Sequence, residues 1–173
     1  PANTLSLHDA LPVLLGALIG EGNSLTLLNG TEVAGTNANS VGIQVVGATL
    51  EATSSTIVGG TNGVSIRAGS AATPASTVTL DDTKVVGQNG SAIFVRGDAA
   101  GLGAVANITV GNGSSLTGSN GVMLDVQRGG VANMTVNNSA LTGDVQLTGN
   151  STAKVTFDQS KIGRASCRER VFA

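Results

Sequence analysis

The sequence predicts an all-β parallel solenoid, a β-helix of about six coils with three apolar strand columns. Three observations carry that expectation. One phrase recurs six times in a fixed order, and its apolar residues alternate with the strand period of two. Glycine and Asn-Gly pairs punctuate the joins, while no stretch carries a sustained helical stripe with caps.

The phrase runs "LTLLNGTEVAG" (25–35), "LEATSSTIVG" (50–59), "VTLDDTKVVG" (78–87), "ITVGNGSSLTG" (108–118), "MTVNNSALTG" (134–143) and "VTFDQSKI" (155–162). Leu25/Leu27, Val78/Leu80, Ile108/Val110, Met134/Val136 and Val155/Phe157 put alternate apolar side chains on one face. A single apolar residue, Val33, Ile57, Val85, Leu116 or Leu141, then stands two before the glycine of each complete phrase. A further stretch supplies the third set: Ile43/Val45, Val64/Ile66, Ile93/Val95, Val122/Leu124/Val126 and Val145/Leu147. Two or three short strands cannot bury their own apolar face. Stacked coil on coil at about 4.8 Å, they share one interior. Successive phrases start 21 to 30 residues apart, and the variation falls in turns such as 68–76 and 97–106, which would bulge outward. An antiparallel sandwich explains the turns but not the ordered recurrence.

The two ends differ from the middle. A DNA strand that can encode Asn3–Pro12 also encodes, on its complement and out of register, the run Gly163–Phe172. Both ends resemble translated sequencing-library adapter. The expected division is therefore adapter-like residues 1–13, a β-helix at 14–160 and adapter-like residues 161–173. His8 and Cys167 fall in those ends and receive no role. Neither end is expected to continue the coils, and the chain reads as an interior fragment of a longer protein. Residues 14–160 then hold five basic residues against nine acidic ones, a net charge of −4, with no Cys, His, Trp or Tyr. Scattered charge on an acidic chain speaks against a nucleic-acid partner. The missing cysteines exclude a disulfide framework and thiolate metal sites.

The cadence of 78–160, a strand, a Ser/Thr step, an apolar residue before glycine, an Asn-Gly join and a "V-x-L/V-x-x-G" strand, resembles the passenger domains of classical autotransporters, especially the pertactin-like type. The resemblance covers nearly all of 25–160. It implies a right-handed parallel β-helix at the cell surface, tethered to or released from the outer membrane. It also implies a C-terminal β-barrel translocator as partner, and a stalk or adhesin role without catalysis or cofactor.

Candidate sites are few. The tripeptide Arg96-Gly97-Asp98 ends a strand and opens the longest loop, where an exposed guanidinium and carboxylate could meet a host-cell receptor; pertactin is similar in carrying such a tripeptide. Asp81-Asp82 and Asp125 are the carboxylates to weigh for acid–base chemistry, the alternative being a fragment of a carbohydrate-active β-helix enzyme such as a polysaccharide lyase, a hydrolase or a tailspike-like protein. Lys84 beside Asp82 makes a solvated turn the simpler expectation. "GLGAVA" (101–106) has the spacing of a phosphate loop, but the strand-like "NITV" follows it rather than a helix.

Overall fold

The structure, a computed structural model, describes residues 15–70, 75–98, 101–139, 141–158 and 167–169. Its strands form three parallel sheets. The first holds β1 (Leu15–Ile19), β4 (Val41–Val46), β7 (Val64–Arg67), β10 (Ile93–Arg96), β13 (Val122–Gln127), β15 (Asp144–Thr148) and β17 (Cys167–Glu169), in that order. The second holds β2 (Ser24–Leu27), β5 (Thr49–Thr53), β8 (Ser76–Asp81), β11 (Val105–Gly111), β14 (Val131–Asn137) and β16 (Thr152–Asp158). The third holds β3 (Glu32–Ala34), β6 (Thr56–Gly59), β9 (Lys84–Gly87) and β12 (Ser115–Gly118). Each sheet adds one strand per turn of the chain, so neighbouring strands are equivalent positions in successive repeats. This is a parallel β-helix, and the six phrases are the six strands of the second sheet.

Register aligns the apolar residues into columns. Leu50, Val78, Ile108 and Met134 stack in the second sheet, with Ala52, Leu80, Val110 and Val136 beside them. Val33, Ile57, Val85 and Leu116 form the column of the third sheet. Ile43, Val64, Ile93, Leu124 and Val145 line the first. All of these except Val145 are buried, in one continuous core; Leu25, Val145, Leu147 and Phe157, near the ends, are partly buried against it.

The corner between the second and third sheets is built the same way in five coils. One residue there takes a left-handed backbone: Asn29 (φ 56°), Ser54 (47°), Asp82 (47°), Asn112 (49°) and Asn138 (45°). Asn and Asp tolerate that region because a short polar side chain bonds locally, whereas other L-residues lose roughly 1–2 kcal/mol there. Such a bend leaves backbone carbonyls pointing away from the sheets, and a hydroxyl answers each one. Thr31 donates to Leu28 O (2.7 Å), Ser55 to Thr53 O (2.8 Å), Thr83 to Asp81 O (2.9 Å), Ser114 to Gly111 O (2.7 Å) and Ser139 to Asn137 O (3.1 Å). Four of these five, all but Thr31, are buried, so the core has a polar seam in which the hydroxyls meet the needs of the turn.

Two features depart from the expected regularity. The fifth phrase is the shortest spacing, and at Leu141 it makes a single bridge instead of a strand of the third sheet. Beside it, the register between β13 and β15 shifts at Val122/Leu124. In earlier coils the position of Met123 belongs to Gly42, Gly63 and Ala92, and at the two glycines even a Cβ would press on the next coil. The second departure corrects the expectation for the C-terminal end. Residues 167–169 do continue the coil pattern: β17 pairs in parallel with β15, Val145 facing Cys167 and Leu147 facing Glu169. The last coil of a solenoid presents a row of unsatisfied backbone groups, and such an edge accepts any extended segment whatever its side chains. Residues 1–13 lie outside the described residues.

Leu80→Ala is expected to cost about 2–5 kcal/mol, read from the urea-unfolding midpoint, because Leu80 is wholly buried in a central coil. Asn112→Ala is expected to cost about 1 kcal/mol by the same measurement, though its side chain is exposed. An unchanged midpoint for Asn112→Ala would show that the corner tolerates any residue.

Candidate binding surface

The outer face of the seven-stranded sheet carries two side-chain columns in the middle coils. One runs Gln44, Ser65, Phe94, Asp125, Gln146; the other, two residues further along each strand, runs Val46, Arg67, Arg96, Gln127, Thr148. The second column covers part of the first. Arg67 lays its guanidinium 5.2 Å from the centre of the Phe94 ring and donates from Nε to Ser65 Oγ at 3.1 Å. Gln127 donates from Nε2 to Asp125 Oδ2 at 2.9 Å. Ser65, Phe94 and Asp125 are therefore buried although they point away from the core.

The electrostatics of this face follow from its packing. Burial pushes the Asp125 carboxyl up, and the Gln127 hydrogen bond only partly offsets it. Asp125 Oδ1 is buried with no protein partner. Burial also lowers the pKa of Arg67, and the nearby charges of Arg96 and Arg128 lower it further. Arg67 thus stands close enough to Arg96 and Arg128 to feel their charges. Arg128 is exposed and sits with φ 53° in the tight corner after β13. Beside Arg67, a cavity of about 200 Å³ opens between the loops that follow β7 and β10, lined by Ser70, Ser76, Leu102 and Gly103 among others.

Arg96, Gly97 and Asp98 end β10 as expected, but they do not form an open loop tip. Arg96 and Asp98 are each partly buried, and Gly97 is buried. A Cβ on Gly97 would collide with the Arg128 carbonyl of the next coil. The Asp98 carboxylate is turned back into its own loop, accepting from Leu102 N at 2.8 Å, while Asp98 N donates to Leu102 O at 2.9 Å. Arg96 is the member of the tripeptide that belongs to the arginine column.

The other carboxylates are dispersed. Asp81 ends β8 in the second sheet, and Asp82 is the exposed left-handed corner residue, its Oδ2 accepting from Ser54 Oγ at 2.9 Å. Lys84 opens β9 and is exposed. The fold does not bring Asp81 or Asp82 to the sheet that carries Asp125. Residues 105–111 are strand β11, so no helix follows the glycines of 101–103. Among the described residues, no group of three or more His, Cys, Asp or Glu side chains could hold a metal ion. Sequence reasoning missed Arg67, Phe94, Gln127 and Arg128. The signal was present in "SIRAG", "FVRG" and "VQRG", where an arginine ends the strand or directly follows it in three consecutive repeats. No family model, curated protein or solved structure matches the chain.

Because the native state holds the Asp125 proton more tightly than the unfolded chain, this group favours folding below the unfolded pKa of about 3.9, and that contribution is lost as pH rises through the higher native value. Asp125→Asn is therefore expected to raise the urea midpoint at neutral pH, with the gain shrinking as pH falls through the raised native pKa and gone below about 4. A gain that does not vary with pH would mean that the ionised carboxylate costs the fold nothing.

Proposed function

We propose that the chain is a segment of a surface-exposed autotransporter passenger: a rigid, non-catalytic β-helical stalk that displays loops and carries adhesive contacts to a host-cell receptor or another cell surface. The observation that carries this reading is the recurrence of one phrase as one strand per coil in an unbroken parallel sheet. Such an architecture gains length by adding coils, each stabilised by its neighbours. Length changes concentrate at the corner after the first sheet, in 68–75 and 97–104, so the scaffold keeps its register while its loops vary. A receptor contact through Arg96-Gly97-Asp98 would draw first on Arg96, since Gly97 is packed and Asp98 is bonded within its loop. Tethering would come from a β-barrel translocator encoded beyond this segment.

A second reading, a fragment of a carbohydrate-active β-helix enzyme, has one observation in its favour. Asp125 is a buried carboxyl with a raised pKa and an unpartnered oxygen. It has no second carboxylate within its described hydrogen bonds, and general acid–base cleavage of a glycoside calls for a pair.

Expressed ahead of an outer-membrane β-barrel translocator, the chain is expected to reach the outside of intact cells, where added protease removes it. Retention in the periplasm, protected from protease, would count against the passenger reading. New reducing ends released from polygalacturonate by the purified chain, and lost in Asp125→Asn, would favour the enzyme instead.

A further inference from the structure

Three of the five basic residues in 14–160 meet at one place on a chain whose repeats are otherwise acidic. Arg67 and Arg96 are register partners on β7 and β10, and Arg128 follows Gln127, the register partner of Arg96 on β13. The three cations therefore climb the solenoid one coil at a time. Stacking like charges at about the strand spacing opposes folding, so the arrangement calls for an anion to complete it. Among the described residues, the carboxylates around this edge have other hydrogen-bond donors. Glu21 accepts from Ser70 N and Oγ, Asp98 from Leu102 N, and Asp125 from Gln127. Arg67 is also held in position, its plane steered by Phe94 and Ser65, so its fork is oriented before any ligand arrives.

We propose that Arg67, Arg96 and Arg128 form a binding site for an anionic glycan lying along the solenoid axis, with its carboxylate or sulfate groups taken by the guanidiniums. The planar guanidinium matches such oxyanions with two parallel hydrogen bonds. Gln44, Gln127 and Gln146 stand on the same face and bring amide groups that suit sugar hydroxyls. Single-stranded nucleic acid is the poorer occupant, because base stacking requires open aromatic rings. The chain has no Trp or Tyr, and Phe94 is buried beneath Arg67. An added strand of acidic peptide would need a free sheet edge, whereas β7, β10 and β13 are all interior strands. The site gives the stalk a ligand class, but it stands on the geometry of this face and not on how the chain reaches a surface.

The test uses the full chain, with heparin as the sulfated probe and polygalacturonate as the carboxylated one, by titration at low and high salt. Binding to at least one probe, weakened steeply by salt, is expected. Arg67→Gln, Arg96→Gln and Arg128→Gln should each weaken it roughly tenfold, and the triple variant should lose it. Lys84→Gln and Lys154→Gln, which remove cations from the other two sheets, should leave it within about twofold. Thermal unfolding monitors the fold; if the triple variant unfolds, the three single variants carry the test. Binding to neither probe, a triple variant that binds like the parent, or equal losses from the lysine changes would overturn the proposal. A thymidine oligonucleotide held as tightly, through the same arginines, would overturn the glycan assignment.

Discussion

Every strand of this fold finds its hydrogen-bonding partners one coil away, and that single constraint organises the rest. Equivalent backbone positions must stack, so each repeat must return the chain to the same three places. Side chains stack as a consequence, which turns an alternating pattern in sequence into continuous columns such as Ile43, Val64, Ile93 and Leu124. Corners are where the scheme fails locally, since a bent backbone cannot keep all its groups in the ladder. The left-handed residue and the hydroxyl behind it, Asp82 with Thr83 or Asn138 with Ser139, meet that failure in the same way coil after coil. Thr83 does more than close its own turn: its hydroxyl also reaches Ala52 O at 2.9 Å, and its amide donates to Ser114 Oγ at 3.0 Å. The polar seam thereby links coils as well as corners.

Stacking is indifferent to what is stacked. On the outer face of the second sheet it brings Asn133 Nδ2 within 3.2 Å of Asn107 Oδ1, a favourable pairing of like residues. On the first sheet it brings arginine beside arginine, which no ladder hydrogen bond relieves. The same geometric rule therefore builds both the scaffold and this concentration of charge on it. The rule also explains why the acidic composition of the chain concealed a basic surface: residues one coil apart are distant in sequence and adjacent in space.

Much of the fold was legible because its core obeys a short-period rule. The inward positions from Leu27 to Leu141 follow from alternation, and the six phrases fix the number of strands in the second sheet. Corner chemistry was only half visible. The Asn-Gly joins advertise positive φ, but Ser54 and Asp82 occupy the same conformation without glycine, and only alignment of the repeats reveals it. The binding surface was least visible. Arg96 was singled out for its tripeptide, which the fold buries in part, and not for its place above Arg67. Asp125 drew notice as a carboxylate, yet its burial on an outward face depends on Gln127 and Phe94, whose positions come from register. The strand at 167–169 was unreadable for a different reason: its sequence does not repeat the phrase, and ladder pairing is made by backbone groups.

The direction of the ladder bonds also bears on mechanics. They run along the solenoid axis, from each coil to the next, while the covalent chain runs around it. Tension applied between the two ends of the chain would therefore open the molecule like a zipper, one coil at a time, each step breaking only the bonds of a single turn. A rod built this way resists bending through its packed interior, yet under a sustained pull it yields by peeling, releasing length in increments of one repeat. Among the described residues, the coil at Leu141 makes a single bridge where others place a third-sheet strand, so peeling there would meet less resistance than in a coil paired in all three sheets.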